Sequence, residues 1–183
     1  MNDISEFFDG VYDRAGDDTG AVPWADLKPK PKLLEWLSAN PGAGKSALDI
    51  ACGLGDNAEA LAGAGYTTCA FDVSDKAVDW AKKRFPSSPV DYRVTDLFKP
   101  PENWLGAFDL VHECYTIQSF PPSDHARVAK AIAGLVNPGG MLVLYAMRNE
   151  TGRPADGPPN PLLPEILNGF SDLGFENVQN DEF

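Results

Sequence analysis

Three acids and two glycines, Asp49, Gly53, Gly55, Asp72 and Asp96, carry the chemistry this sequence is equipped to do. The stretch ALDIACGLGDNA, Ala47 to Ala58, opens as a short buried strand through Ile50 and turns on Gly53 and Gly55 into a helix starting near Asp56. A strand, a tight turn and a helix N-terminus in that order let a ligand lie against bare backbone. Glycine is needed where a Cβ would block that approach or forbid positive φ. A second strand, Thr67 to Phe71, ends on Asp72, 17 positions after Gly55. In an open α/β sheet an acid there sits beside the first loop and can accept both hydroxyls of a ribose.

Two ligand classes use such a unit. Gly53, Gly55 and Ala58 fit a G-x-G-x-x-A dinucleotide fingerprint, which alone is a weak signal. Asp49, inside the first strand, gains nothing against a pyrophosphate but attracts an ammonium. A ribose joined to a cationic amino-acid arm describes S-adenosyl-L-methionine, and that is the expected cofactor. A nicotinamide- or flavin-dependent oxidoreductase is the alternative, and a binding protein without catalysis is the third reading.

Lys and Arg number 15 and Asp and Glu 27, for a formal charge of −12 over 183 residues. Such a surface repels phosphate backbones and anionic membranes, and no dense basic run offsets it, so neither nucleic acid nor membrane is an expected partner. Cys52, Cys69 and Cys114 lie in or beside expected strands and read as reduced thiols of an intracellular protein. His112 and His125 are too few and too separated for a zinc site. The start, MNDISEFF, lacks the pattern of a signal peptide. No apolar run approaches the roughly 20 residues of a membrane span. The cytoplasm is the expected location, and the length suits one domain over 1–183.

The elements that must position these residues follow in order. Ile4, Phe7, Phe8, Val11 and Tyr12 recur at helical spacing, and with the turn after Gly16 and Val22-Pro23-Trp24 they make a segment, 1–28, expected as a lid or a plain packing helix. Trp24 either closes over a ligand or plugs the core. Leu33 to Leu37 is a helix ending near Asn40. Gly42-Ala43-Gly44-Lys45-Ser46 mimics a P-loop, but Ala39 stands where its first glycine belongs and a strand follows it, so it reads as a turn. Ser74 caps a helix that Lys82, Lys83 and Arg84 close. Val90 to Val94 is a third strand and Phe108 to His112 a fourth. A helix from Pro121 runs to Val136, and Asn137-Pro138-Gly139-Gly140 turns into a fifth strand, Met141 to Ala146. Arg148 to Pro161 is a loop over the active face. A helix, Leu162 to Leu173, and a strand, Phe175 to Gln179, close the chain.

The expected fold is α/β, a doubly wound, mostly parallel sheet whose winding reverses between the first and fourth strands and opens a crevice there. Asp96, past the third strand, can accept an adenine amino group while Leu97 packs on the ring. Glu113 and Tyr115, past the fourth, are the candidates near the reacting group. His112 reads as a packed core residue, and Glu113 either binds the cofactor's backbone side or abstracts a proton.

From about Val22 to Phe175 the sequence resembles the class I S-adenosylmethionine-dependent methyltransferases, and within them the thiopurine and thiol methyltransferase group with its halide- and tellurite-methylating relatives. The glycine-rich first motif matches Asp49, Gly53 and Gly55, with Ala51 where a first glycine is usual. The ribose acid matches Asp72, followed by Val73, and the adenine-side acid matches Asp96, followed by Leu97. Pro138-Gly139-Gly140 matches the turn before the fifth strand. Pro23-Trp24 is similar to a pair whose indole helps enclose the cofactor, and YTIQSFPP, Tyr115 to Pro122, to the corresponding loop. The resemblance implies a Rossmann-like methyltransferase fold with S-adenosyl-L-methionine as cofactor. Its contacts would include Trp24, Ala51, Val73 and Glu113. The acceptor would be a small thiol, halide or chalcogen, or a hydroxylated aromatic, and no metal is required.

In-line displacement at a sulfonium asks the protein mostly for proximity and orientation. A thiol with a pKa near 8.5 is already partly thiolate at neutral pH. The Asn/Asp-Pro-Pro-aromatic tetrapeptide of base-amino methyltransferases is missing after the fourth strand, which again argues against nucleic acid. The family sheet carries a seventh, antiparallel strand between its fifth and sixth. This chain stops at Phe183, so the final antiparallel strand is expected to be missing, leaving an open edge or a homodimer that covers it.

Overall fold

Five segments of four to ten residues form strands: β1 (Ser46–Ile50), β2 (Thr67–Asp72), β3 (Asp91–Val94), β4 (Phe108–Cys114) and β5 (Val136–Tyr145). The computed structural model of the chain describes residues 2–16, 18–153, 157–176 and 179. All five strands pair in parallel, in the order β3-β2-β1-β4-β5. The winding reverses between β1 and β4, which places the crevice at their carboxyl ends. Helices α1 (Asn2–Ala15), α2 (Pro31–Ala39), α3 (Asp56–Gly63), α4 (Asp75–Arg84), α5 (His125–Ala133) and α6 (Pro164–Asn168) flank the sheet.

The central strands are apolar on both faces because helices cover both. Leu48 and Ile50 of β1, with Val111 of β4, pack against Val128 and Ile132 of α5. Ala47 and Leu110 point the other way, onto Leu33 and Leu37 of α2 and Leu61 of α3. Each such buried Leu, Ile or Val side chain contributes about 1.5–3 kcal/mol, and a one-residue slip of β1 would turn both faces to the wrong side. Ser74 caps α4 as expected, its Oγ accepting from the Ala77 N–H at 3.3 Å. Outside the sheet, α1 lies on α4: Tyr12 is buried with its ring 5.8 Å from that of Trp80, and Lys76 pairs with Asp13. The side chains of Ile4 and Ser5 lie outside the described residues. Gly42 to Ser46 is a turn into β1, packed on Tyr66. No described helix is long and apolar enough to cross a membrane.

Several boundaries differ from the sequence reading. The residues Asn137 to Gly140 do not precede the fifth strand but form a bulge inside it, where pairing jumps from Phe108↔Val136 to Leu110↔Met141. Asn137 Nδ2 donates to Asp109 Oδ1 at 2.7 Å and holds the bulge against β4. Helix α5 stops at Ala133 because Gly134 follows. The closing helix is only Pro164–Asn168, begun by a proline at its first position and ended at Gly169. No strand forms at Phe175, Glu176 or Gln179; the rest of that expected strand, residues 177 and 178, lies outside the described residues.

Candidate functional site

The carboxyl ends of β1 to β4 floor a cleft of about 800 Å³, with Phe8, Tyr12 and Trp24 from the N-terminal segment on its other side. That volume suits a ligand of cofactor size. Beyond β1 the chain turns through three left-handed residues, Ala51 (φ 49), Gly53 (φ 52) and Gly55 (φ 90). Gly55 is the N-cap of α3, where a Cβ would lie 2.5 Å from the Tyr92 hydroxyl oxygen. Ala51 is exposed, and as a non-glycine residue it holds its left-handed φ at a cost of about 1 kcal/mol. Ala51→Gly is therefore expected to raise Tm by roughly 2–4 °C in a thermal melt. A lowered Tm would show the methyl to be needed.

Asp72 ends β2 beneath this turn, 7% exposed. Its Oδ2 accepts from the Gly53 N–H at 2.9 Å and its Oδ1 from the Ser74 N–H at 3.0 Å. Val73 beside it is exposed on the cleft wall. Asp49, also on the floor, lies with Oδ1 2.6 Å from His112 Nδ1, and both residues are buried. Its second oxygen, Oδ2, has no protein partner. His112 is thus a core residue, as expected, and also a support for Asp49. Asp96 Oδ1 accepts from the Phe98 N–H at 2.9 Å, and Leu97 next to it is buried on the cleft wall.

Glu113 is not on that wall. It is fully buried behind it, Oε1 accepting from the N–H groups of Thr116 and, at 2.9 Å, Ile117. The fourth strand runs two residues past the expected end, to Cys114, and this side chain faces the turn rather than the cleft. Glu113 is therefore not among the cleft-lining residues expected near the reacting group; its Oε1 anchors the turn, and its Oε2 is buried without a protein partner. The turn holds Tyr115 at φ 64, an uncommon conformation for a bulky residue, further fixed by its N–H to Tyr145 O at 3.0 Å. Tyr115 lines the cleft. So does Trp24, 39% exposed, which therefore does not plug the core; its Nε1 donates to the Tyr12 hydroxyl at 3.3 Å. The loop after β5 reaches the cleft through Met147, Pro158 and Pro159. It is tied to the turn after β4 by the Met147 N–H to Gln118 Oε1 at 2.7 Å.

Sequence reasoning passed over Lys30 and Asp26, which line the cleft together. No local motif marks the middle lysine of KPKPK.

Burial pushes Asp72 up to about 6, against the pull of the Ser74 and Gly53 N–H groups, and pushes Glu113 up to about 7. Both carboxyls hold their protons more tightly in the folded chain than at their ordinary 3.8 and 4.5. The stability they contribute is complete below those ordinary values and is lost as pH rises through 6 to 7. The unliganded chain is expected to melt several degrees higher near about pH 5.5 than near about pH 8. A Tm rising over that interval would contradict this.

A doubly wound parallel sheet with a ligand-sized cleft at its switch point and acids at two adjacent strand ends defines a Rossmann-like ligand-binding domain. Residues 48–144 match the family model described as a methyltransferase domain, and the chain belongs to that family. A ubiquinone biosynthesis O-methyltransferase of Thiobacillus denitrificans is 37% identical over 138 residues, covering 72% of this chain and 58% of that protein. The chain thus spans little more than half the length of that relative. Among solved structures, one concerned with the conversion of a disulfide bond into a thioacetal group during echinomycin biosynthesis is 28% identical. It has a TM-score of 0.67 and covers 80% of this chain and 61% of that one. Magnesium protoporphyrin IX methyltransferase from Synechocystis, solved with bound SAM, shares the fold at 18% identity and a TM-score of 0.69, covering 98% of this chain and 89% of that one.

Proposed function

We propose that this chain is an S-adenosylmethionine-dependent methyltransferase acting on a small-molecule nucleophile. One observation carries the reading: two buried acids flank the glycine turn, Asp72 fixed by backbone N–H groups and Asp49 with a buried oxygen unpartnered on the cleft floor. A cationic amino-acid arm would give Asp49 Oδ2 the charge-assisted partner it lacks. The remaining lone pairs of Asp72 suit ribose hydroxyls. Asp96 and Leu97 would take the adenine, with Val73 along its edge, and Ala51, Gly53 and Gly55 give the methionine portion room. A pyrophosphate would face repulsion from Asp49, which disfavours the dinucleotide alternative, as does the family.

Bound there, the cofactor supplies a methyl group activated by a sulfonium. The chain supplies orientation and exclusion of water. Trp24 packs edge-to-face with Phe8 and Tyr12 at ring separations of 5.2 and 5.7 Å, a cover over the cleft. The apolar groups Phe7, Phe120 and Met147 suit an aromatic acceptor. The O-methyltransferase relatives favour a hydroxylated aromatic, and the sulfur chemistry named for the echinomycin structure keeps a thiol second. We further infer one domain over 1–183 with 1–28 as its lid, and a reducing, cytoplasmic setting for the free thiols of Cys52, Cys69 and Cys114. We also infer a homodimer, for which β5, the edge strand of the described sheet, is the candidate surface.

The test is transfer of labelled methyl groups to hydroxylated aromatics, thiols, halides and tellurite, run beside thermal melts with S-adenosylhomocysteine and with NAD. Labelled product and a Tm raised by S-adenosylhomocysteine alone are expected. No product with any acceptor would leave only a binding role, and a rise with NAD alone would overturn the reading.

A further inference from the structure

Lys30 lies outside every motif in the sequence, yet its ammonium is built into the cleft wall. Its side chain is 19% exposed, Nζ donates to Asp26 Oδ2 at 2.5 Å, and the same nitrogen stands 4.7 Å from the centre of the Tyr115 ring. Its backbone N–H donates to Asn57 Oδ1 at 3.0 Å, which ties it to the first turn of α3. Burial alone would weaken its hold on the proton, but the hydrogen bond to Asp26 and the nearby Cys114 and Tyr115 groups outweigh it and raise its pKa above the ordinary 10.5. It is a cation and not a base.

The other acids of the cleft each have a protein partner, and the one open oxygen named above, Asp49 Oδ2, is taken by the cofactor's ammonium in the methyltransferase reading. Asp49 faces His112, Asp56 holds Arg84 at 2.6 Å, and Asp72 and Asp96 accept backbone N–H groups. Neither histidine lines the cleft, and Glu113 stands behind it. Arg14 and Lys28 also line the cleft, but Lys30 is the cation whose ammonium stands over the Tyr115 ring. We propose that Lys30 is an oxyanion-binding residue, holding the ionised hydroxyl of an aromatic acceptor that lies against Tyr115. The hydroxyl gives its proton to solvent and keeps the electron pair that the methyl group will share, and no protein base takes part. An ammonium in contact with a phenol favours its ionised form by about one to three powers of ten. Asp26, 47% exposed in its side chain, competes for the same ammonium and tempers the effect. The inference rests on the methyltransferase reading for the reaction it serves, but the anion site itself can be read without turnover.

The probe is 4-nitrophenol, whose phenolate is coloured, titrated with pH against excess chain with and without S-adenosylhomocysteine. Bound to the wild-type chain it is expected to ionise at least about one pH unit lower than when free. Lys30→Gln should abolish that shift and weaken phenolate binding about tenfold or more, and Lys30→Arg should keep most of it. Asp26→Asn should enlarge the shift, the opposite sign. The melting shift with S-adenosylhomocysteine reports that each variant is folded and holds cofactor. If that shift is missing from the wild-type chain as well, the methyltransferase reading fails, and the titration without S-adenosylhomocysteine still decides the role of Lys30. An unshifted or unbound probe on the wild-type chain, a shift that survives Lys30→Gln, or a smaller shift in Asp26→Asn overturns the proposal.

Discussion

Replacing Asp72 by alanine is expected to weaken S-adenosylhomocysteine binding by about 100-fold or more and to remove most of its stabilisation in a thermal melt. Two hydrogen bonds from ribose hydroxyls to an ionised acceptor are worth about 1.5–3 kcal/mol each, and each 1.4 kcal/mol is tenfold. The alanine also frees the Gly53 and Ser74 N–H groups, which loosens the turn that the acid holds closed. Asp72→Asn separates the two causes, because it keeps the shape and one acceptor while losing the charge; a loss of about tenfold is expected. Because Asp72 ionises near 6 before ligand binds, affinity in the wild-type chain should also fall as pH drops below about 6. Calorimetric titration of the three proteins checks all of this, and unchanged affinity in Asp72→Ala would show the ribose assignment to be misplaced.

The second large effect belongs to Gly55. A Cβ there would sit 2.5 Å from the Tyr92 hydroxyl oxygen and 3.2 Å from Ala81 Cβ, at φ +90. Tyr92 cannot step aside, since it is buried and its hydroxyl donates to Glu59 Oε1 at 2.7 Å. Left-handed strain and overpacking together cost about 2–5 kcal/mol, so Gly55→Ala is expected to lower Tm by about 5–15 °C. Gly44, at φ +84 with nothing near its missing Cβ, is the control that carries the strain alone. Adding Tyr92→Phe to Gly55→Ala should recover part of the loss, since it removes the clashing oxygen. Equal losses at Gly44 and Gly55 would show that close packing plays no part.

The central unit was legible because its signals are local. An apolar run, glycines that need positive φ and an acid at the end of the next strand all lie within Ala47 to Ser74, and the order of the strands followed from parallel connections. What was not legible depends on contacts between distant residues. Asn137 to Gly140 has the composition of a turn, and the pairing of β5 with β4 on either side of it, with the Asn137 bond to Asp109, keeps it on β5 as a bulge. Glu113 looked like a cleft residue because the fourth strand was ended two residues early, and side-chain direction past a strand end depends on where the strand stops. The run from Leu162 to Leu173 has apolar residues at helical spacing, but Pro164 and Gly169 confine the helix to five residues. Lys30 gained its place from Asp26, Asn57 and Tyr115, three partners on separate segments. The acceptor side of the cleft is assembled from α1, the Trp24 loop, the turn after β4 and the loop after β5, which is why the acceptor was less readable than the cofactor.

The most direct measurement is a crystal structure of the chain with S-adenosylhomocysteine. The ribose hydroxyls are expected within hydrogen-bond reach of Asp72 and the amino group of the ligand on Asp49 Oδ2. A ligand seated away from the β1 turn, or a ribose that does not touch Asp72, would contradict this.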